Sequence, residues 1–143
     1  MNSSQNSSTS TINLVADIGG TNIRLAIATA GSTDNISEIE TYQCKNFDSL
    51  QDVIKTYIET KKIEKNKIHA CLAIACPVDN DLISMTNLPW EFSQKALKQQ
   101  LKLDTLTLIN DYTAIAMAIP LLSENQKVKI GGGSSTANKP ISV

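Results

Sequence analysis

Residues 12–26 read Ile12-Asn13-Leu14-Val15-Ala16-Asp17-Ile18-Gly19-Gly20-Thr21-Asn22-Ile23-Arg24-Leu25-Ala26, and this stretch decides the fold. Ile12 to Asp17 is a short apolar run that leads into two adjacent glycines, and Ile23 to Ala30 is a second run of β-branched and small residues. Two such runs about a glycine turn predict a β-hairpin. The turn, Asp17-Ile18-Gly19-Gly20-Thr21-Asn22, is suited to an anion, because glycine lets backbone N–H groups approach it with no side chain between. Taken alone, the motif reads equally well as a hairpin that simply needs glycine. It is not a Walker loop, since no Gly-Lys-Ser or Gly-Lys-Thr follows. Nor is it a Rossmann fingerprint, since it precedes a strand where that motif opens a helix. The remaining reading is a hairpin phosphate loop, with the Thr21 hydroxyl and nearby N–H groups on phosphate oxygens and Asp17 holding Mg2+ through water.

Working outward, Gly31 to Asn35 reads as a turn and Ile36 to Tyr42 as a third, more exposed strand. Simple alternation puts Ile36, Glu38, Glu40 and Tyr42 on one side of it and Ser37, Ile39 and Thr41 on the other. Leu50, Val53, Ile54, Tyr57 and Ile58 recur at the spacing of one helical face, with Asp48 or Ser49 as cap. Ile68 to Cys76 is a nearly continuous apolar run stopped by Pro77, which predicts a strand covered on both faces. After a turn at Asp79 to Asp81, a helix capped by Ser93 runs to Leu101, and Leu103 to Ile109 forms another buried strand. A last helix is expected over Asp111 to Leu122, with Ile115, Ile119 and Leu122 on its apolar face. The order predicts an α/β fold: a five-stranded mixed sheet with helices on both faces and an antiparallel ribbon at one side. This is the element order of the ribonuclease H-like, actin-type ATPase domain. Gly131 to Ser135 reads as a loop, and Pro140 to Val143 as a strand in which the sequence stops, so a longer parent is expected.

The chain has 143 residues, enough for one compact domain with a sizeable core. Lys and Arg total 13 against 14 Asp and Glu, and a net charge of -1 offers no broad attraction to nucleic acid or to an anionic membrane. Met1 to Thr11 is a polar tail without the basic start and apolar stretch of a signal peptide, and no apolar run approaches the roughly 20 residues of a membrane span. A cytoplasmic location is the expectation. Cys44, Cys71 and Cys76 form no C-x-x-C pair and read as buried, reduced thiols. His69 is the single histidine, so a histidine triad or multi-histidine metal site needs another chain.

Asn110 and Asp111 fall where a buried strand gives way to a helix, the ligand-facing end of a parallel sheet. An isolated Asn-Asp pair is more often a helix cap than a catalytic pair. Beside a phosphate hairpin the balance reverses, because phosphoryl transfer to a hydroxyl needs a group to receive its proton. An aspartate is ionised at neutral pH, and a helix N-terminus favours that charge. Asn110 carries both donor and acceptor atoms, matching neighbouring sugar hydroxyls.

Four ordered motifs now stand together: Ala16-Asp17-Ile18-Gly19-Gly20-Thr21-Asn22-Ile23-Arg24-Leu25-Ala26, Cys71-Leu72-Ala73-Ile74-Ala75-Cys76-Pro77, Met85-Thr86-Asn87 with Trp90 and Phe92-Ser93, and Ile109-Asn110-Asp111-Tyr112-Thr113-Ala114. This set resembles the bacterial glucokinases of the actin-like ATPase and sugar kinase superfamily. The resemblance implies ATP-dependent phosphorylation of glucose to glucose 6-phosphate, the first step of glycolysis, with ATP and Mg2+ as cofactors. It implies that Ala16, Asp17, Ile18, Gly19, Gly20 and Thr21 bind the ATP phosphates, that Asn110 and Asp111 bind glucose, and that Asp111 is the base. Thr86, Asn87 and Trp90 read either as a loop shaping the sugar pocket or as a surface turn with a core tryptophan.

Beyond the polar tail over residues 1–11, the resemblance implies an N-terminal glucokinase domain over 12–123 and, over 124–143, the connection to and start of a second domain. That domain would supply further sugar ligands, a second phosphate loop and the adenine pocket, so the chain alone is expected to bind sugar weakly and to lack kinase activity. The full-length parent is expected to be a homodimer. The competing reading is a non-catalytic sugar-sensing module of the same superfamily.

Overall fold

The structure, a computed structural model, describes residues 10–29 and 36–118, the side chains of 115–118 excepted. β1 (Thr11–Ile18) and β2 (Asn22–Ala28) form the hairpin that the glycine turn predicts, with Ile18 opposite Ile23 and Ala16 opposite Leu25. β3 (Ile36–Gln43) pairs antiparallel with β2. A 3-10 turn at Cys44–Asn46 then leads to α1 (Leu50–Thr60), which returns the chain to β4 (Lys67–Ile74), parallel to β1. Two short strands, β5 (Leu82–Ser84) and β6 (Glu91–Ser93), make a separate antiparallel ribbon. α2 (Gln94–Gln100) follows, then β7 (Thr105–Asn110), parallel to β4, and α3 (Asp111–Ala118). The main sheet has five strands in the order β3-β2-β1-β4-β7 and is mixed, as expected of an α/β domain.

Strand alternation decides where the core sits. Leu14, Ala16 and Ile18 of β1 point to one face, and the register puts Ile23 and Leu25 of β2 and Ala70, Leu72 and Ile74 of β4 beside them. These residues are buried in one cluster with Leu50, Val53, Ile54, Tyr57 and Ile58 of α1 and Leu97 of α2. On the opposite face Val15, Cys71 and Ala73 are only half-buried among the described residues. The strand predicted over Ile68 to Cys76 therefore ends earlier, at Ile74, and one of its faces is covered more fully than the other.

Ser49, one of the two predicted caps, is the residue that starts α1. Its hydroxyl oxygen accepts from the Asp52 N–H at 3.1 Å and its O–H donates to the Asp52 carboxylate at 2.8 Å. Ser93 caps α2 as expected, accepting from the Ala96 N–H at 3.1 Å. Its O–H donates to Asp81, whose other oxygen accepts from the Lys95 N–H. The bond from Ser93 holds the Asp81 carboxyl below its ordinary range, helped by that second N–H.

Two sequence expectations need correction. β3 is not a simple alternating strand: Leu25 pairs with Glu40, but Ile27 pairs with Ser37, so Glu38 and Ile39 together face one residue of β2. This bulge moves Ile36 to the side of Ile39, away from Glu40 and Tyr42. Glu38 adopts a left-handed φ of 53° there, and the Tyr57 hydroxyl donates to its carbonyl at 2.7 Å. The polar tail is also shorter than residues 1–11, because Thr11 already pairs with Lys67 in the sheet and the Asn66 amide donates to the Ser10 carbonyl at 3.0 Å. The β5–β6 ribbon is new relative to the sequence reading. The predicted turn at Gly31 to Asn35, the last helix beyond Ala118, the loop at 131–135 and the strand at 140–143 lie outside the described residues.

Candidate active site

Ile18 pairs with Ile74, and Ile74 with Asn110, so these three residues form one row across the carboxyl edge of the sheet. Neighbouring strands lie about 4.8 Å apart, which sets the end of β1 and the start of α3 roughly 10 Å from each other. The register alone thus brings the glycine turn and Asn110-Asp111 to one edge.

Within the turn the Gly19 N–H donates to the Asn22 carbonyl at 3.0 Å, closing the hairpin. Asp17, Thr21 and Asn22 are exposed, Gly19 and Gly20 are half-exposed, and Ala16 and Ile18 are buried inside the sheet. Of the six residues expected to meet phosphate, four therefore reach the surface, while Ala16 and Ile18 hold the strand that carries them. Asp17 stands opposite Arg24 on the face away from the core cluster.

Cys44 supports the turn from below. Its N–H donates to the Thr21 carbonyl at 2.9 Å, and its thiol donates to the Gly19 carbonyl at 3.6 Å. Burial pushes the Cys44 thiol above its ordinary pKa, which keeps the donating proton on sulfur. Sequence reasoning places Cys44 among inert core thiols; nothing local in the sequence announces that a residue 25 positions after Gly19 bonds to it.

The tip of the β5–β6 ribbon closes the site from the side, with the Met85 N–H donating to the Trp90 carbonyl at 3.0 Å across the loop. Leu88, Pro89 and Trp90 form one wall of a cleft of about 440 Å³; Gly20, Thr21 and Asn22 form another, and Lys45 and Phe47 stand at its side. Trp90 is 7% exposed, which fits the reading of it as a core tryptophan, and it also lines the cleft.

Asn110 is held at both ends of its amide. Its N–H donates to the Cys76 carbonyl at 3.2 Å, and its oxygen accepts from the Tyr112 N–H at 3.0 Å, the geometry of a helix cap. The same Tyr112 N–H reaches Oδ1 of Asp111 at 2.9 Å. Asn110 thus joins the loop after β4 to the start of α3. Cys76 is buried beside them, and its thiol pKa is raised first by burial and then by the Asp111 carboxylate. All three cysteines are free thiols, and no cluster of metal-ligating side chains forms among the described residues.

The five-stranded mixed sheet matches solved sugar kinase structures. A solved glucokinase from an Antarctic psychrotroph superposes with a TM-score of 0.74 at 38% identity, over 89% of this chain and 40% of that one. A ROK family glucokinase from Streptomyces griseus, in complex with glucose and AMPPNP, shares the fold at 16% identity and a TM-score of 0.52, over 73% of this chain and 35% of that one. In sequence, the chain is 64% identical over 135 residues to a glucokinase of Colwellia psychrerythraea, covering 94% of this chain and 40% of the relative. The family model described as Glucokinase matches residues 14–143. The chain belongs to the glucokinase family. It spans about 40% of the length of that curated relative.

Proposed function

We propose that this chain is the N-terminal part of an ATP-dependent glucokinase, which transfers the γ-phosphoryl group of ATP to the 6-hydroxyl of glucose. The observation that carries the reading is the row Ile18, Ile74, Asn110, which sets a phosphate-type hairpin and an aspartate at a helix start on one edge of one sheet. In-line transfer needs those two features facing a common space. The glucokinase relatives and the fold shared with a glucokinase holding glucose and AMPPNP support it.

In this reading the Gly19 N–H is spent inside the turn, so the N–H groups of Gly20 and Thr21 and the Thr21 hydroxyl meet the ATP phosphates. Asn110, pinned at both ends of its amide, offers its remaining N–H and lone pair to sugar hydroxyls. Asp111 turns Oδ1 to the start of α3, leaving Oδ2 to take the proton as the sugar hydroxyl attacks. Asp17, exposed beside the turn, would hold Mg2+ through water. When bound, the ion neutralises charge on the phosphates.

The finer architecture follows the same proposal. The sheet is a ribonuclease H-like, actin-type unit with helices on both faces, and residues 124–143 lead into a second domain that closes over the sugar and excludes water. The complete enzyme is a cytoplasmic homodimer, and the chain alone is inactive.

The test is a hybrid enzyme in which this chain replaces the matching 40% of the Colwellia psychrerythraea relative. ADP release is followed with a panel of hexoses. Turnover that depends on glucose is expected. A hybrid that folds and binds glucose without releasing ADP would instead make this chain part of a sugar sensor.

A further inference from the structure

Gly20 is held by a neighbour rather than by its backbone angles. Its φ lies outside the left-handed region, so a residue with a side chain could adopt its conformation. A Cβ added there, however, would lie 2.7 Å from Cβ of Asn87 and 3.5 Å from its Cγ and Nδ2. The open side of Gly20 is thus filled by the tip of the β5–β6 ribbon, 67 positions further along the chain by their numbers.

The neighbourhood shows the same seating. Leu88, Pro89 and Trp90, next to Asn87, share a cleft with Gly20, Thr21 and Asn22. Cys44 holds Gly19 and Thr21 from below through their carbonyls. The hairpin tip is therefore gripped by hydrogen bonds on one side and by van der Waals contact on the other.

We propose that Asn87 is a positioning residue: its Cβ, seated on Gly20, fixes the direction in which the Gly20 and Thr21 N–H groups are presented to the nucleotide. The inference rests on the kinase reading above. It assigns the absence of a side chain at Gly20 to contact with the ribbon tip, in place of contact with phosphate. Asn87 touches neither reacting atom in this account; it acts through Gly20.

The contact can be dissected because Cβ is the atom of Asn87 nearest to the added methyl, with Cγ and Nδ2 further off. In the hybrid enzyme Gly20→Ala should raise the KM for ATP by about tenfold or more, since the new methyl displaces the tip. Asn87→Gly removes the opposing Cβ and should raise it by roughly threefold, leaving the KM for glucose within about twofold. The double variant, in which the alanine methyl fills the space vacated by Asn87, should recover most of what Gly20→Ala loses. Asn87→Ala keeps the Cβ and should leave the KM for ATP within about twofold of the parent hybrid.

Thermal unfolding of the same four variants reads the contact independently of turnover. Gly20→Ala should lower the midpoint, and Asn87→Gly should restore it. If Gly20→Ala is as damaging with Gly at position 87 as with Asn, the glycine is required by phosphate or backbone and the proposal is overturned. Equal ATP KM values for Asn87→Gly and Asn87→Ala would also overturn it, because the Cβ would then carry nothing. A parent hybrid with no glucose-dependent ADP release refutes the kinase reading and the nucleotide role with it, while the thermal cycle still decides whether the tip sits on Gly20.

Discussion

On the core face of the sheet, Leu14, Leu72 and Ile74 are fully buried in one apolar cluster with side chains of β2, α1 and α2. On the carboxyl edge a few single contacts hold the site: the Cys44 thiol on Gly19, the Asn87 Cβ against Gly20, the Asn110 amide on Cys76. Packing of the first kind is distributed and tolerates changes that keep volume. Contacts of the second kind each have one geometry and no substitute. Stability and catalysis should accordingly respond to different substitutions, and the regions can be told apart by which quantity moves.

The largest effect is expected at the edge. Asp111→Asn in the hybrid enzyme should lower kcat roughly 100- to 10,000-fold, the range over which a positioned base contributes. The KM for glucose and the thermal midpoint should stay close to those of the parent hybrid. A variant that keeps normal turnover would remove Asp111 as the base, and one that melts far earlier would make it a structural cap.

Leu72→Ala probes the other region. The side chain is fully buried, and its loss should cost about 2–5 kcal/mol in urea unfolding of the chain, through lost burial and the cavity left behind. In hybrid enzyme that remains folded, the KM for ATP should not follow. A parallel change in KM would mean that the two regions are coupled and would break the contrast.

Tyr57 lies between these extremes, since it belongs to the core yet makes one directed bond, to the Glu38 carbonyl at the bulge. Tyr57→Phe should cost about 1–2 kcal/mol at neutral pH. It should also change the alkaline limb of the stability curve. Burial pushes the Tyr57 phenol from 10.0 to about 12, so the unfolded chain releases this proton first. The stabilisation is intact below the lower value and is lost as pH climbs through the upper one. Lys61, whose ammonium is held protonated by bonds to Glu40 and Glu38, contributes in the same direction. The variant should therefore show a shallower fall across that window without abolishing it, as followed by circular dichroism. The smallest effect belongs to Ser49→Ala, which removes the cap of α1 and should cost about 1 kcal/mol with no change in kinetics.

The core face is the part of the fold most legible in the sequence. The spacing of Leu50, Val53, Ile54, Tyr57 and Ile58 gives α1, and the apolar runs give β1, β4 and β7, because burial imposes a period on each element. β5 and β6 escape this reading: strands of three residues are too short for alternation to register. The bulge in β3 escapes it too, since an extra residue changes which side chains share a face without altering composition.

The candidate site divides in the same way. Gly19, Gly20, Asn110 and Asp111 stand out as residues at element ends. Cys44 does not, and Asn87 does so only as part of a motif with no hint of Gly20, because their contacts depend on which distant segment arrives beside the turn, and that is settled only when the chain is folded.

Trp90 carries a practical consequence. It is the single tryptophan of the sequence, and it sits on the ribbon tip, buried, in the wall of the cleft that faces Gly20 and Thr21. Its intrinsic fluorescence therefore comes from the junction between the two tips and from nowhere else in this chain. A nucleotide that settles on the hairpin, or a substitution that lifts the ribbon away from it, alters the polarity around that indole and so the wavelength and intensity of its emission. The chain carries its own optical reporter, with no label to attach.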